Sequence, residues 1–253
     1  WKRAGGLCHI IAYSDPSVAR REVTGLLDDY AFTALACLDA YETTADLSYF
    51  NFARHIADAM MDRFFDPAEG GFFDVEGSER AVGALAARRK PFQDAPTPAG
   101  NSAAAIALLR LHAYTNDASY RDKAERTLRV FAGLAEQFGI FAGTFAIAGV
   151  WYARPHTQVV VLGSDELATR LYVAALAPFA LNKAVLRLPE NEAVPQNLPP
   201  ALAETIPQLP AAKEGRSTAI ICSDFTCQPP LSEPEELQRA LRDVLTNGVR
   251  RAA

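Results

Sequence analysis

Two polar clusters stand where otherwise apolar stretches begin, and their residue types could do chemistry. Asp28 and Asp29 open the run 30–41. Arg88, Arg89 and Lys90 lead into a loop interrupted by Pro91, Pro96 and Pro98, which carries Asp94 and closes with Gly100-Asn101-Ser102 before a second apolar run. Paired carboxylates are what glycoside chemistry uses as acid and base, and a carboxylate facing an arginine suits hydroxyl recognition. The catalytic candidates are therefore Asp28, Asp29 and Asp94. The substrate-holding candidates are Arg88, Arg89, Lys90, Asn101 and Ser102, with Tyr30, Phe72 and Phe73 as aromatic faces for a sugar ring. Each has a plainer reading. The two aspartates suit the positive end of a helix dipole, Asn101 and Ser102 are N-cap types, Asp94 is a turn former, and 88–90 could be a solvated charge run.

The elements that position these residues follow from periodicity. Residues 26–41 (LLDDYAFTALACLDAY) and about 102–114 are apolar nearly all round, which marks buried helices. Residues 48–64 and about 119–137 carry charge on one side, including Arg54, Asp58, Asp62 and Arg63 in the first and Arg121, Lys123, Glu125, Arg126 and Arg129 in the second. Asp66-Pro67 and Gly70-Gly71 mark a tight turn between them. Leu38-Asp-Ala-Tyr41 returns 73 residues later as Leu111-His-Ala-Tyr114. Asp46-Leu-Ser-Tyr49 returns 71 residues later as Asp117-Ala-Ser-Tyr120. Each repeat unit is one buried helix, a turn and one half-exposed helix, so stacked units place the buried helices in an inner ring. The same register puts Asp28 on Asn101 and Asp29 on Ser102, on one rim.

The fold class is thus mainly α, an α/α-hairpin toroid portion over 26–155. It follows an irregular lead-in, 1–25, and precedes a small α/β segment with a short parallel sheet, 156–253. In the last part, 158–163 (QVVVLG), 183–188 (KAVLRL) and 217–221 (STAII) read as strands, 164–179 as a helix, and 189–215, with six prolines, as a surface loop.

A net charge of −5 and a pI near 5.5 argue against nucleic acid or an anionic membrane as partner, and no stretch approaches the roughly 20 apolar residues of a membrane span. The four histidines and four cysteines show no metal-ligand spacing, so no metal is expected. Gly163-Ser164 after a strand is too short a signal for a nucleotide loop, and no cofactor is expected. Reduced thiols at Cys8, Cys37, Cys222 and Cys227 and a cytoplasmic location are the default. The chain begins at Trp1 rather than Met, and sequence upstream is expected.

LLDDYAF, YETTAD, the Gly70-Gly71-Phe72-Phe73 turn, Arg89-Lys90…Asp94…Pro98-Ala-Gly-Asn-Ser102 and the closing Cys222-x4-Cys227-Gln-x-Pro occur in that order. Together they resemble the C-terminal part of the YyaL-like proteins, the spermatogenesis-associated, thioredoxin-domain-containing family, from about residue 26 to about 245. The chain departs from that pattern at Ala99, where Ser is usual, and at Ala95-Pro96, where Gly-Ala is usual. The resemblance implies an (α/α) toroid of the six-hairpin type, similar to N-acylglucosamine 2-epimerase and six-hairpin glycosidase folds. It also implies upstream hairpins and a thioredoxin-like domain as partners within a longer protein. Two functions follow as expectations. One is binding or processing of a small carbohydrate at the inner-helix rim, isomerase-like or hydrolase-like. The other is a catalytically silent toroid that serves as a scaffold for the redox domain.

Overall fold

A computed structural model of the chain describes residues 6–11, 22–77 and 87–250. Four long helices carry the repeat: α1 (Leu27–Thr44), α2 (Leu47–Phe64), α3 (Gly100–Thr115) and α4 (Ala118–Ala132). The repeat is visible in the turns, bond for bond. After α1, Ala45 takes a left-handed φ of 58° and its N–H donates to Tyr41 O; after α3, Asn116 takes φ 58° and donates to His112 O. Thr44 Oγ1 then accepts from Asp46 N–H, and Asp46 Oδ1 accepts from Ser48 N–H, capping α2. Thr115, Asp117 and Ser119 make the same two bonds at the start of α4.

Residues 100–111 of α3 are all buried, as an all-round apolar helix requires. In α1 the side facing Tyr30, Ala34, Leu38 and Tyr41 is fully buried, whereas Phe32, Leu35 and Cys37 are half-covered. Tyr41, Phe50 and Tyr114 meet edge-on or tilted, 5.5–5.9 Å apart. The proline-broken loop is anchored by Phe92, stacked on Phe131 at 4.9 Å. Beyond α4 come a short helix α5 (Ala135–Phe138) and α6 (Gly143–Ala153).

Residues 1–25, read from sequence as irregular, include an antiparallel ribbon of β1 (Cys8–Ile11) and β2 (Glu22–Thr24); 1–5 and 12–21 lie outside the described residues. The ribbon lacks a period-2 signal because Ile10 and Val23 are exposed.

The α/β segment contains β3 (Thr157–Leu162), α7 (Glu166–Leu176), β4 (Lys183–Leu188), the short helices α8 (Pro200–Ala203) and α9 (Pro210–Lys213), β5 (Thr218–Ser223), β6 (Thr226–Cys227) and α10 (Pro234–Arg250). The sheet order is β4-β3-β5-β6. β3 is buried along its whole length, and α7 and α10 cover the sheet through Leu171, Ala175, Leu237 and Leu241. The short parallel sheet expected from sequence is present as one parallel pair within a mixed sheet. β3 pairs parallel with β4, but β5 runs antiparallel to β3 and continues into β6 through a tight turn. Residues 189–215 are not a plain surface loop either. Single helical turns follow one another there, and Leu198, Leu202 and Ile206 are buried. The isolated prolines start these turns, because a fixed φ suits the first helical position.

The chain divides into two compact units. One comprises Trp1–Cys37, Phe52–Leu108 and Tyr120–Ala148; the other comprises Leu38–Asn51, Leu109–Ser119 and Gly149–Ala253.

Candidate functional site

In the first unit the rim is built where α1 and α3 begin. Leu27 N–H donates to Asp74 O, Asp74 N–H donates to Arg89 O, and Arg89 N–H donates to Asp74 Oδ1. Asp29 Oδ2 accepts from Leu26 N–H and lies 2.9 Å from His9 Nδ1. Asp28 packs against the start of α3: a Cβ at Gly100 would fall 2.1 Å from Asp28 Oδ1, so only glycine leaves the carboxyl its place. Partial burial, then the charges of Asp29 and Asp74, push the Asp28 carboxyl above the usual carboxylate range, with His9 pulling it back. The rim therefore joins Asp28, Asp29, Asp74, Arg89 and His9, and His9 went unread in the sequence because it lies 20 residues from Asp29 with no pattern between.

The other candidates are placed differently. Asp94 is a staple rather than an acid or base: Oδ1 accepts from Ala99 N–H and Oδ2 from Thr144 N–H, tying the loop to α6. Lys90 closes the Asp66 turn, 2.7 Å from Asp66 Oδ2, and that hydrogen bond holds the Asp66 carboxyl down to about 2. The Arg88 guanidinium lies 3.8 Å over the Phe73 ring, and its Nε donates to Val75 O. Phe73 thus has a cation where a sugar would stack. Tyr30 and Phe72 are fully buried and offer no stacking face. Tyr30 instead accepts from Leu7 N–H through its hydroxyl.

Asn101 and Ser102 are not caps, because α3 already begins at Gly100. Asn101, fully buried, accepts from Phe72 N–H and donates to Phe72 O and Pro91 O, pinning both segments to the helix. Gly70 and Gly71, at φ 85° and 75°, supply the left-handed pair that brings Phe72 there. Ser102 Oγ is enclosed without a hydrogen bond.

A second polar cluster, in the other unit, carries a signal in the sequence. Arg110 is a lone cation inside an apolar helix, and a buried charge needs a partner. Its Nη1 lies 2.7 Å from Asp39 Oδ1 and its Nη2 2.9 Å from Glu42 Oε1, and Tyr114 also donates to Oε1. Burial raises the Glu42 carboxyl, opposed by Arg110 and Tyr114. His156 stacks on Trp151 at 4.9 Å and meets Tyr114 edge-on. Among the described residues no group of three or more His, Cys, Asp or Glu is placed to hold a metal ion.

The thiols at 222 and 227 are corrected from the reduced state. They face each other across the β5–β6 hairpin and are joined as a disulfide, with a Cα–Cα separation of 3.9 Å, while Cys8 and Cys37 are free. A turn with Asp224 and Phe225 both left-handed (φ 51° and 59°) sets that register.

The chain is similar to spermatogenesis-associated protein 20. The human and mouse proteins are each 28% identical to it over 221 residues, which covers 86% of this chain and 27% of theirs. An uncharacterized protein of Caenorhabditis elegans is 26% identical over 221 residues, 86% of this chain and 28% of its own. The chain thus spans about a quarter of the length of the curated relatives it matches. No protein-family model matches it. The similarity supports the family expected from the motifs, at the level of a relative.

Proposed function

We propose that the rim around Asp28 is an acid/base site for a small polyhydroxylated, carbohydrate-type substrate, in the C-terminal, six-hairpin-toroid region of a thioredoxin-domain-containing protein. One observation carries the reading. Asp28 is a carboxyl that burial and two neighbouring carboxylates keep protonation-prone, and it has its own vacated place at Gly100. A carboxyl whose hold on a proton is strengthened, beside a second carboxylate, suits proton transfer. Asp28 then takes the acid role, Asp29 or Asp74 the base role, and the half-covered Phe32 and Leu35 of α1 suit the neighbouring helix of a larger ring.

The competing reading, a silent toroid that binds a redox domain, draws support from Asp94, Lys90 and Asn101, whose polar atoms are spent on this chain's own structure. Screening the full-length protein on amino sugars and disaccharides separates the two. Asp28→Asn is expected to cut turnover by at least ~100-fold with folding intact. The same variant should be slightly more stable near neutral pH. A raised folded pKa means that stability falls as pH rises from the ordinary carboxylate value to the raised one, and Asn removes that cost. Turnover that survives in Asp28→Asn, or none on any sugar, refutes the catalytic reading.

A further inference from the structure

Within the second unit, the last turns of α1 and the α7–β4 connection border an open pocket of about 350 Å³. From α1 it takes Asp39, Glu42 and Thr43; the opposite wall is aromatic and aliphatic, with Tyr172, Leu176 and Phe179, and Lys183 also borders it. The hydrogen bonds around it decide what can enter. Arg110, buried behind α1's carboxylates, binds Asp39 through Oδ1 and Glu42 through Oε1, and Tyr114 binds the same Oε1. One guanidinium is shared between two carboxylates, so one negative charge remains. Thr43 Oγ1 gives its proton to Asp39 O and is left as an acceptor. The Lys183 ammonium is committed to the carbonyls of Ala175, Leu176 and Pro178 at the end of α7, where it satisfies orphan helix groups. The α1 side therefore offers acceptors and net negative charge, and the facing wall offers rings and aliphatic surface. Phe179 stands 86% exposed at the lip, with no partner ring to cover it among the described residues.

We propose that this pocket binds a cationic amine with a small apolar or aromatic body, the ammonium taken by Asp39 and Glu42 and the body by Phe179, Tyr172 and Leu176. The volume suits a ligand of that size, and an aromatic lip beside carboxylates favours a cation over a neutral guest. A hydroxylated neutral ligand gains only hydrogen bonds there, and an anion must face the Asp39 and Glu42 carboxylates, because the Lys183 ammonium, though charged, has its N–H groups taken by carbonyls. The site belongs to the other unit and does not depend on the function proposed for the Asp28 rim.

The test is calorimetric titration of the full chain with three molecules of one shape: phenethylamine, 2-phenylethanol and 3-phenylpropanoate. Phenethylamine should bind saturably and at least ~10-fold more tightly than the alcohol, with the carboxylate not binding. Asp39→Asn, at a side chain 70% exposed that still offers Arg110 an oxygen, should remove the preference for amine over alcohol. Phe179→Ser, at a residue too exposed to be needed for folding, should weaken the amine by several-fold. Equal binding of amine and alcohol, absence of saturable amine binding, or an amine affinity unchanged in both variants overturns the proposal.

Discussion

His156 is buried in the second unit with both ring nitrogens enclosed, and burial first, then the Arg110 charge, lower it to about 3, against a smaller opposite pull from the Asn182 backbone. The unfolded chain takes up a proton near the ordinary histidine value, but the folded ring resists until about 3. The stability that the neutral ring contributes is thus complete above about 6.5 and is lost as pH falls, by roughly 1.4 kcal/mol per pH unit. Urea unfolding at about pH 7 and about pH 5 should show this loss, and His156→Phe should flatten it relative to the parent. Equal slopes in both proteins would mean that the ring is accessible to protons in the folded state. At Lys90 and Asp94 the same scale gives structural roles, since each is committed to one turn or one loop.

At the scale of elements, α3 is the organiser of the first unit, and Asn101 is how it organises. Its side chain stands in for a strand edge, matching Phe72 N–H and O and taking Pro91 O besides. Asn101→Ala leaves those buried backbone groups unpaired and should cost about 3 kcal/mol in urea unfolding. Ser102→Ala, one residue on, removes an enclosed hydroxyl that bonds nothing and should cost under about 0.5 kcal/mol. Similar losses at the two positions would show that helix packing, not the Asn101 bonds, anchors the Gly70–Gly71 turn.

At the scale of the whole molecule, apolar surface is unevenly covered. In α6, the most apolar helix, Ala148 is buried while Ile147 is 37% exposed, and nearby Ile140 and Phe141 are 87% and 48% exposed. Exposed apolar surface of this kind suits a hydrophobic dye. The native chain should therefore light up an anilinonaphthalene dye, and Ile140→Lys with Ile147→Lys should at least halve the signal. The unfolding free energy should move by no more than about 0.5 kcal/mol. An unchanged signal would place the dye elsewhere.

Sequence alone determined the four long helices, their two turns and the repeat that relates them. These rest on contacts a few residues apart: the apolar stripe, the Asp46 and Asp117 caps and the left-handed residue that ends each inner helix. The register between repeats set Asp28 and Asp29 against Asn101 and Ser102 on one rim, but the structure buries Asn101 and Ser102. Tertiary structure alone decided which groups meet. β5 runs antiparallel because segment 189–217 leaves β4 and enters β5 at the same end of the sheet, Leu188 and Thr218 both pairing with Leu162, and pattern does not encode strand direction. Asp94 found Thr144, His9 found Asp29 and Arg110 found Glu42 across separations of 50, 20 and 68 residues. Over such distances the path of the chain, not the residue type, chooses the partner, and so it decides whether a carboxylate is a staple, a buried counter-ion or a group free to hold a proton.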